Sequence, residues 1–189
     1  MKVLIIDNYD SFTYNLFHYV EPLVKELKVL RNNAFPLEKV NDYDGIILSP
    51  GPGLPDEAGL TKEVIDTFKS KKRILGICLG HQAIVESEGG KLKNLDEVLH
   101  GIAVETYLLK DNNYIFNNIP ENILTGRYHS YVACKKNLPD SLQIIATDVY
   151  GEIQAVKHIT YDVTGLQFHP ESVLTPYGKK IIENWVSGF

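Results

Sequence analysis

Cysteine is scarce in this chain: Cys78 and Cys134 are all there is, and neither sits in a paired Cys/His spacing of the kind that makes a zinc site. A reducing setting, the cytoplasm, fits that usage best. Long apolar runs are missing as well. The opening MKVLIIDNYD carries only four apolar residues between Lys2 and Asp7, far short of a signal-peptide core, and no later run approaches membrane-spanning length. Neither secretion nor a membrane anchor is expected. Positive charge is not in excess, the formal net charge being -5, so there is no basic field to attract nucleic acid and none is expected as a partner. Repeats, low-complexity tracts and linkers are also lacking. The 189 residues therefore read as a single domain spanning positions 1–189, long enough to bury about 70% of its unfolded surface without staples.

The residues that are present alternate between strand and helix patterns. Lys2 to Ile6 is a β-branched run of the kind buried on both faces of a parallel sheet, and Ser11 to Leu27 has mostly helical spacing. Asp44 to Ser49 is a second such strand, closed by the stiff loop Pro50-Gly51-Pro52-Gly53-Leu54-Pro55, with a helix over Thr61 to Ser70. Arg73 to Cys78 and Leu79 to Glu88 repeat the pair. Beyond Gly90 the texture changes to short strand-like runs (GKLKNL, LHGIAVETYLL, YVACKK, LQIIATDV, IQAVKHI, VTGLQF), with turns at Asn112-Asn113 and Tyr150-Gly151. Gly178 to Val186 then forms a closing helix with the only tryptophan, Trp185. The expected fold class is α/β: a mostly parallel sheet with helices on both faces and a smaller antiparallel portion.

Gly76-Ile77-Cys78-Leu79-Gly80 has the spacing of a nucleophile elbow, a tight strand-to-helix turn on which flanking glycines let the two elements close up. A thiol there lies at a helix N-terminus, whose partial positive charge favours thiolate. A buried, inert cysteine has the same short pattern, so a base decides between them. Of the six histidines, His81 lies inside the helix after the elbow and can hardly turn back. His18 and His158 sit in ordinary helix and strand patterns. His169 differs: Pro170 biases it toward an extended backbone, and extended residues i and i+2 share a face, so Glu171 can orient its ring. Cys78, His169 and Glu171 make a nucleophile, base and orienter. The Pro50–Pro55 loop follows a parallel strand, where α/β ligand sites gather, and its glycines leave backbone N–H groups uncovered for an oxyanion, with the N–H of Leu79 as a second donor.

In this order PGPG, GICLGHQ and GLQFHPES resemble the class I (triad) glutamine amidotransferases across essentially the whole chain. The stretch from Asp7 to Asn15, DNYDSFTYN, is similar to the amidotransferase subunits of anthranilate synthase and of aminodeoxychorismate synthase. The resemblance implies a flavodoxin-like architecture, Cys78 as nucleophile, His169 as base, Glu171 as its partner, and an oxyanion hole from Gly53 and Leu79. It also places glutamine against Gly51, Gln82 and the backbone of Ser130 and Tyr131. His100-Gly101-Ile102 departs from the family's usual HGK, and VESEGG after the elbow carries glutamate where a small or aromatic residue is common.

The implied reaction hydrolyses glutamine to glutamate through a γ-glutamyl thioester and releases ammonia, with no cofactor and no metal. Nothing in the chain looks like a catalytic domain for chorismate, so the expected partner is a chorismate-using synthase subunit in a heteromer, making anthranilate for tryptophan biosynthesis. Three alternatives stand beside it: the same role in aminodeoxychorismate (folate) synthesis, the glutaminase subunit of GMP synthetase, and a silent regulatory subunit that only binds its synthase.

Overall fold

The computed structural model describes residues 1–95, 100–109 and 113–188. In chain order the strands are Lys2–Asp7 (β1), Glu26–Arg31 (β2), Gly45–Leu48 (β3), Arg73–Ile77 (β4), Leu92–Asn94 (β5), Ile102–Leu108 (β6), Asn122–Arg127 (β7), Tyr131–Ala133 (β8), Leu142–Asp148 (β9), Ile153–His158 (β10) and Val163–Leu166 (β11). The α-helices are Thr13–Val20 (α1), Thr61–Phe68 (α2), Leu79–Ser87 (α3) and Gly178–Ser187 (α4).

Successive side chains of a strand point to opposite faces, and β1 uses both. Val3 and Ile5 enter one core together with Ile47, Leu75 and Ile77, while Leu4 and Ile6 enter the other with Ile46, Leu48 and Ile74. Each face then needs cover. Leu16 and Val20 of α1 with Ile181, Ile182 and Trp185 of α4 close the first; Val64, Ile65 and Phe68 of α2 with Ala83, Ile84 and Val85 of α3 close the second. The described strands form a nine-stranded sheet in the order β2-β1-β3-β4-β11-β10-β9-β6-β7, with a separate β5-β8 ribbon. Its first five strands are parallel and the remaining four antiparallel. The parallel order is that of a flavodoxin-like doubly wound sheet, whose ligand sites lie beyond the carboxyl ends of the strands. Among the described residues no helix is long and apolar enough to cross a membrane.

The expected strands of the first ninety residues and the helices after β3, after β4 and at the end fall within two residues of those observed. The helix expected over Ser11 to Leu27 does not. It stops at Val20, passes through a single 3-10 turn at Glu21–Leu23, and yields to β2, which pairs in parallel from Lys2↔Glu26 to Asp7↔Arg31. Leu16, Val20, Leu23 and Leu27 keep helical spacing, but a Pro22 ring inside an α-helix would clash with the preceding turn. β7 lies outside the expected strands as well; it is, like β2, an edge strand of the sheet, interrupted in pattern by Gly126. β11 belongs to the parallel core, not to the antiparallel portion, and lies in register with β4 from Val163↔Ile74 to Leu166↔Ile77. Leu99 of the run leading into β6 and Asn112 of the Asn112-Asn113 turn lie outside the described residues.

The first turn of α3 presses directly on the sheet. A Cβ on Gly80 would stand 2.5 Å from the Leu48 carbonyl oxygen and 2.7 Å from its Cβ. Two effects compete in Gly80→Ala: a helix-propensity gain of about 1 kcal/mol and an overpacking cost of about 1–3 kcal/mol. Because the obstacle is β3 backbone, the clash should win. A lower urea midpoint at unchanged m is the expected result, and a midpoint equal to the parent's would show that α3 can slide away.

Candidate active site

Four neighbouring strands deliver the site. Cys78 follows β4 immediately, Ser49 to Gly53 follow β3, Asn8 to Phe12 follow β1, and Gln167 to His169 follow β11. Cys78 is the N-cap of α3 with φ 51° and ψ -101°, a left-handed conformation rare for a side chain with a Cβ. Such strain costs about 1–3 kcal/mol and persists only where surroundings over-determine it. Here they do: the Cys78 N–H donates to the Leu166 carbonyl at 2.8 Å, and its own carbonyl accepts the Gln82 N–H at 3.0 Å, starting the helix.

His169 and Glu171 are both buried, with Nδ1 and Oε1 2.6 Å apart. The pairing is not made along extended backbone, as expected, but across a turn: the Ser172 N–H donates to the His169 carbonyl at 3.2 Å, with Pro170 at a turn position that suits its fixed φ. The Thr175 hydroxyl donates to the same carbonyl at 2.7 Å and accepts the Gly126 N–H at 2.9 Å, tying this turn to the end of β7. Tyr128 packs on the ring of His169, centroids 4.9 Å apart, and its hydroxyl bonds Ser172 Oγ at 2.9 Å.

Burial lowers the His169 pKa, but the nearby Cys78 sulfur and the hydrogen-bonded Glu171 carboxylate outweigh it and hold the ring well above its ordinary value. His129 and His81 have no such acid partners. Burial, reinforced by the Arg127 charge, pushes His129 well below its ordinary value. Burial takes His81, beside Gly165, down to about 4. His18 is exposed on α1, and His158 Nδ1 accepts the N–H groups of Thr160 and Tyr161, both at 3.0 Å. Cys134 is half-buried, its thiol donating to Asn137 Oδ1 at 3.3 Å.

Cys78 opens on two clefts. One, of about 180 Å³, is lined by Gly51, Pro52, Gly53, Cys78, Gln82, Tyr128, His129, Ser130 and Tyr131. The residues expected to touch glutamine are thus all on one wall or another of it. Gly53, with φ 77°, has the Glu57 carboxylate where a side chain would be, and that carboxylate accepts the Leu54 N–H at 3.0 Å. Leu79 is buried at the first position of α3, where an N–H lacks an intrahelical acceptor. The other cleft, of about 330 Å³, runs from Cys78 and His169 out between Tyr9, Phe12, His100 and Tyr128. Ile102, in the position of the family's lysine, is exposed at the start of β6. Among the described residues no cluster of three or more His, Cys, Asp or Glu is placed to hold a metal.

Two residues at this centre carry no role in the sequence argument. Gln167 is fully buried with Nε2 3.7 Å from Cys78 Sγ, and Tyr128 lines both clefts. Gln167 lies inside GLQFHPES, two residues before His169, and Tyr128 stands two residues before Ser130.

A strained cysteine at a strand-helix corner, facing a carboxylate-held imidazole across the carboxyl edge of a flavodoxin-like sheet, is the arrangement that a thiol-dependent hydrolase or transferase needs. The chain matches the family described as glutamine amidotransferase class-I over residues 4–188 and belongs to it. It is 46% identical over 188 residues to anthranilate synthase component 2 of Lactococcus lactis subsp. lactis, covering 98% of this chain and 93% of that one. With aminodeoxychorismate/anthranilate synthase component 2 of Bacillus subtilis it shares 38% over 189 residues, 99% of this chain and 96% of that one. A solved structure from Thermoplasma acidophilum, described as a GMP synthase subunit, superposes with a TM-score of 0.88 at 26% identity, covering 99% of this chain and 92% of that one.

Histidine C–H resonances report each ring directly. His169 should titrate with a midpoint well above 6.5, and Glu171→Gln should bring it down, while His129 should stay neutral far below 6.5. A folded pKa above the unfolded one means the proton on His169 stabilises the fold fully below the unfolded pKa, and that contribution is lost as pH rises through the folded value. A His169 midpoint at or below 6.5 would contradict the assignment.

Proposed function

We propose that this chain is the glutaminase subunit of a chorismate-using synthase, with Cys78, His169 and Glu171 as its catalytic residues. The observation that carries this reading is the position of Cys78, on the cleft lined by Gly51, Gly53, Gln82, Ser130 and Tyr131 on one side and beside the His169–Glu171 pair on the other. Glutamine lies in the first cleft. Cys78 Sγ attacks its side-chain carbonyl carbon, forming an S–C bond, and the resulting oxyanion accepts the N–H groups of Gly53 and Leu79. As the C–N bond breaks, His169 donates the proton that lets ammonia leave. The ring, now neutral, takes a proton from water as that water attacks the thioester, and glutamate departs as the thiol is regenerated. Glu171 keeps one ring nitrogen occupied, so Nε2 is the atom that exchanges protons with substrate.

Ammonia needs a capture site before it protonates in bulk water. The second cleft gives it one exit, and the cleft's outer rim is apolar and exposed, Tyr9 at 52% and Phe12 at 45%. A synthase subunit seated on that rim would receive ammonia directly. Anthranilate is the favoured product because relatives at 38–46% identity bear that name. The Bacillus subtilis relative, named for both products, favours a second reading in which aminodeoxychorismate is made as well. A reducing cytoplasm suits a working thiol.

In the complex, Cys78→Ser should abolish glutamine-dependent synthesis and spare synthesis from added ammonia, and a glutamine-analogue affinity label should mark Cys78. Glutamine-dependent synthesis by that variant, or labelling at Cys134, would sink the assignment. Glutamate release should also be slow for the isolated chain and rise by on the order of tenfold or more once synthase and chorismate are added, since a donor N–H about 1 Å out of place costs about a hundredfold. Equal rates for the isolated chain, for the complex and for the complex with chorismate would remove the partner gating.

A further inference from the structure

The amide of Gln167 is fully buried, and its polarity is set by a chain of partners. Gln82 Nε2 lies 2.9 Å from the backbone carbonyl oxygen of Tyr131, an acceptor only, so Gln82 must present its NH2 group there. The same Nε2 lies 3.4 Å from the oxygen end of the Gln167 amide. That leaves the Gln167 NH2 facing Cys78 Sγ at 3.7 Å, within the longer reach of a sulfur acceptor. An amide's two ends are told apart by their partners, and here every partner agrees. The Gln167 backbone is fixed as well, its N–H donating to the Gln154 carbonyl at 2.8 Å.

We propose that Gln167 is a positioning residue that aims an N–H at the Cys78 sulfur, and that it is locked in that sense by Gln82 and Tyr131, two residues of the glutamine cleft. It rests on Cys78 being the nucleophile proposed above. An N–H donor stabilises a thiolate more than a thiol, so Gln167 favours the reactive form and holds the sulfur on the side of the incoming carbonyl. The relay also joins substrate recognition to the nucleophile. A ligand that draws Gln82 or the Tyr131 carbonyl toward itself changes the freedom of the donor on sulfur. The other titratable groups of the two clefts on which the sulfur opens are His169 from the turn after β11, Tyr128 and His129 between β7 and β8, Tyr131 of β8, Tyr9 and Asp10 after β1, and His100 before β6; His81 of α3 acts on His129, and Glu171 acts through His169. None is altered in the test.

The test uses the full chain with Cys134→Ser, a change that keeps the hydrogen bond to Asn137 and leaves Cys78 as the only thiol. The rate of alkylation by iodoacetamide is followed from pH 5 to 10, because it tracks the thiolate fraction. Gln167→Met, similar in shape without a donor, should raise the midpoint by about one pH unit. Gln167→Glu should raise it further, because a carboxylate repels the thiolate. In the complex both should lower kcat more than they raise KM. Gln82→Met, which frees the amide without removing it, should give a smaller rise in the same direction and reads the relay even where a Gln167 variant does not fold. Midpoints in folded Gln167 variants equal to the parent's, or an unchanged Gln82→Met midpoint, would reduce Gln167 to packing. This readout needs no turnover, so it stands apart from the nucleophile assignment, which falls if Cys78→Ser still uses glutamine or if the affinity label marks Cys134.

Discussion

The contact on which the rest depends is the backbone-to-backbone approach of the first turn of α3 to the ends of β3 and β4. Gly80 lies against the Leu48 carbonyl, and Gly76 lies against the Gly80 carbonyl, so neither position has room for a side chain. Bringing a helix that close to a sheet leaves one residue to make the whole change of direction, and that residue is Cys78, at φ 51°. Its thiol is thereby held at the carboxyl edge of the sheet and at the N-terminus of α3, where the helix dipole favours negative charge. Move the helix out by a side chain and the turn relaxes, and sulfur, donor N–H groups and cleft lose their common origin.

The antiparallel portion supplies what a five-stranded parallel sheet lacks, a wall opposite the cysteine. β7 ends at Arg127, and the three residues that follow lead across the site to Tyr131 in β8. Arg127 anchors that crossing: its guanidinium lies 3.5 Å from Asp148, itself held by the N–H groups of Tyr150 and Glu152 and the amide of Gln154. A buried ion pair of this kind adds little net stability, because desolvation offsets the attraction, but a broken one is costly, so it fixes register. The turn carrying His169 is laced to the same strand through Thr175 and Gly126. Base and cleft wall are therefore set by one element.

The parallel core was legible because double-sided burial leaves a mark in sequence, runs such as Val3 to Ile6 and Ile46 to Leu48 with no polar residue. Edge strands leave none. β2 is half-exposed along its length, and Leu16, Val20, Leu23 and Leu27 imitate a helix face through it; β7 alternates exposure only until Gly126. The cysteine, histidine and glutamate were legible because each sits at an element end marked by glycine or proline. Gln167 was not, since its meaning comes from Gln82 and Tyr131, 85 positions away in one case and joined to it through a third residue in the other. Sequence patterns report what a residue type can do, and partner-defined polarity is a property of the fold.

Three imidazoles are buried in this region, and the fold favours a proton on one of them while pushing the other two toward the neutral form. Removing an ionised group from water costs several kcal/mol even after relaxation. His81 and His129 face that cost with no carboxylate or thiol to offset it, and Arg127 adds repulsion at His129, so both are driven neutral. His169 is buried almost as deeply, yet the Cys78 sulfur and the Glu171 carboxylate at 2.6 Å outweigh desolvation. The consequence is chemical. A second protonated imidazole lining the glutamine cleft would compete with His169 for the thiolate and repel its charged form. In the proposed reaction, holding His129 neutral leaves a single proton to be given to departing ammonia and taken back from water, which is the requirement for one residue to serve both halves.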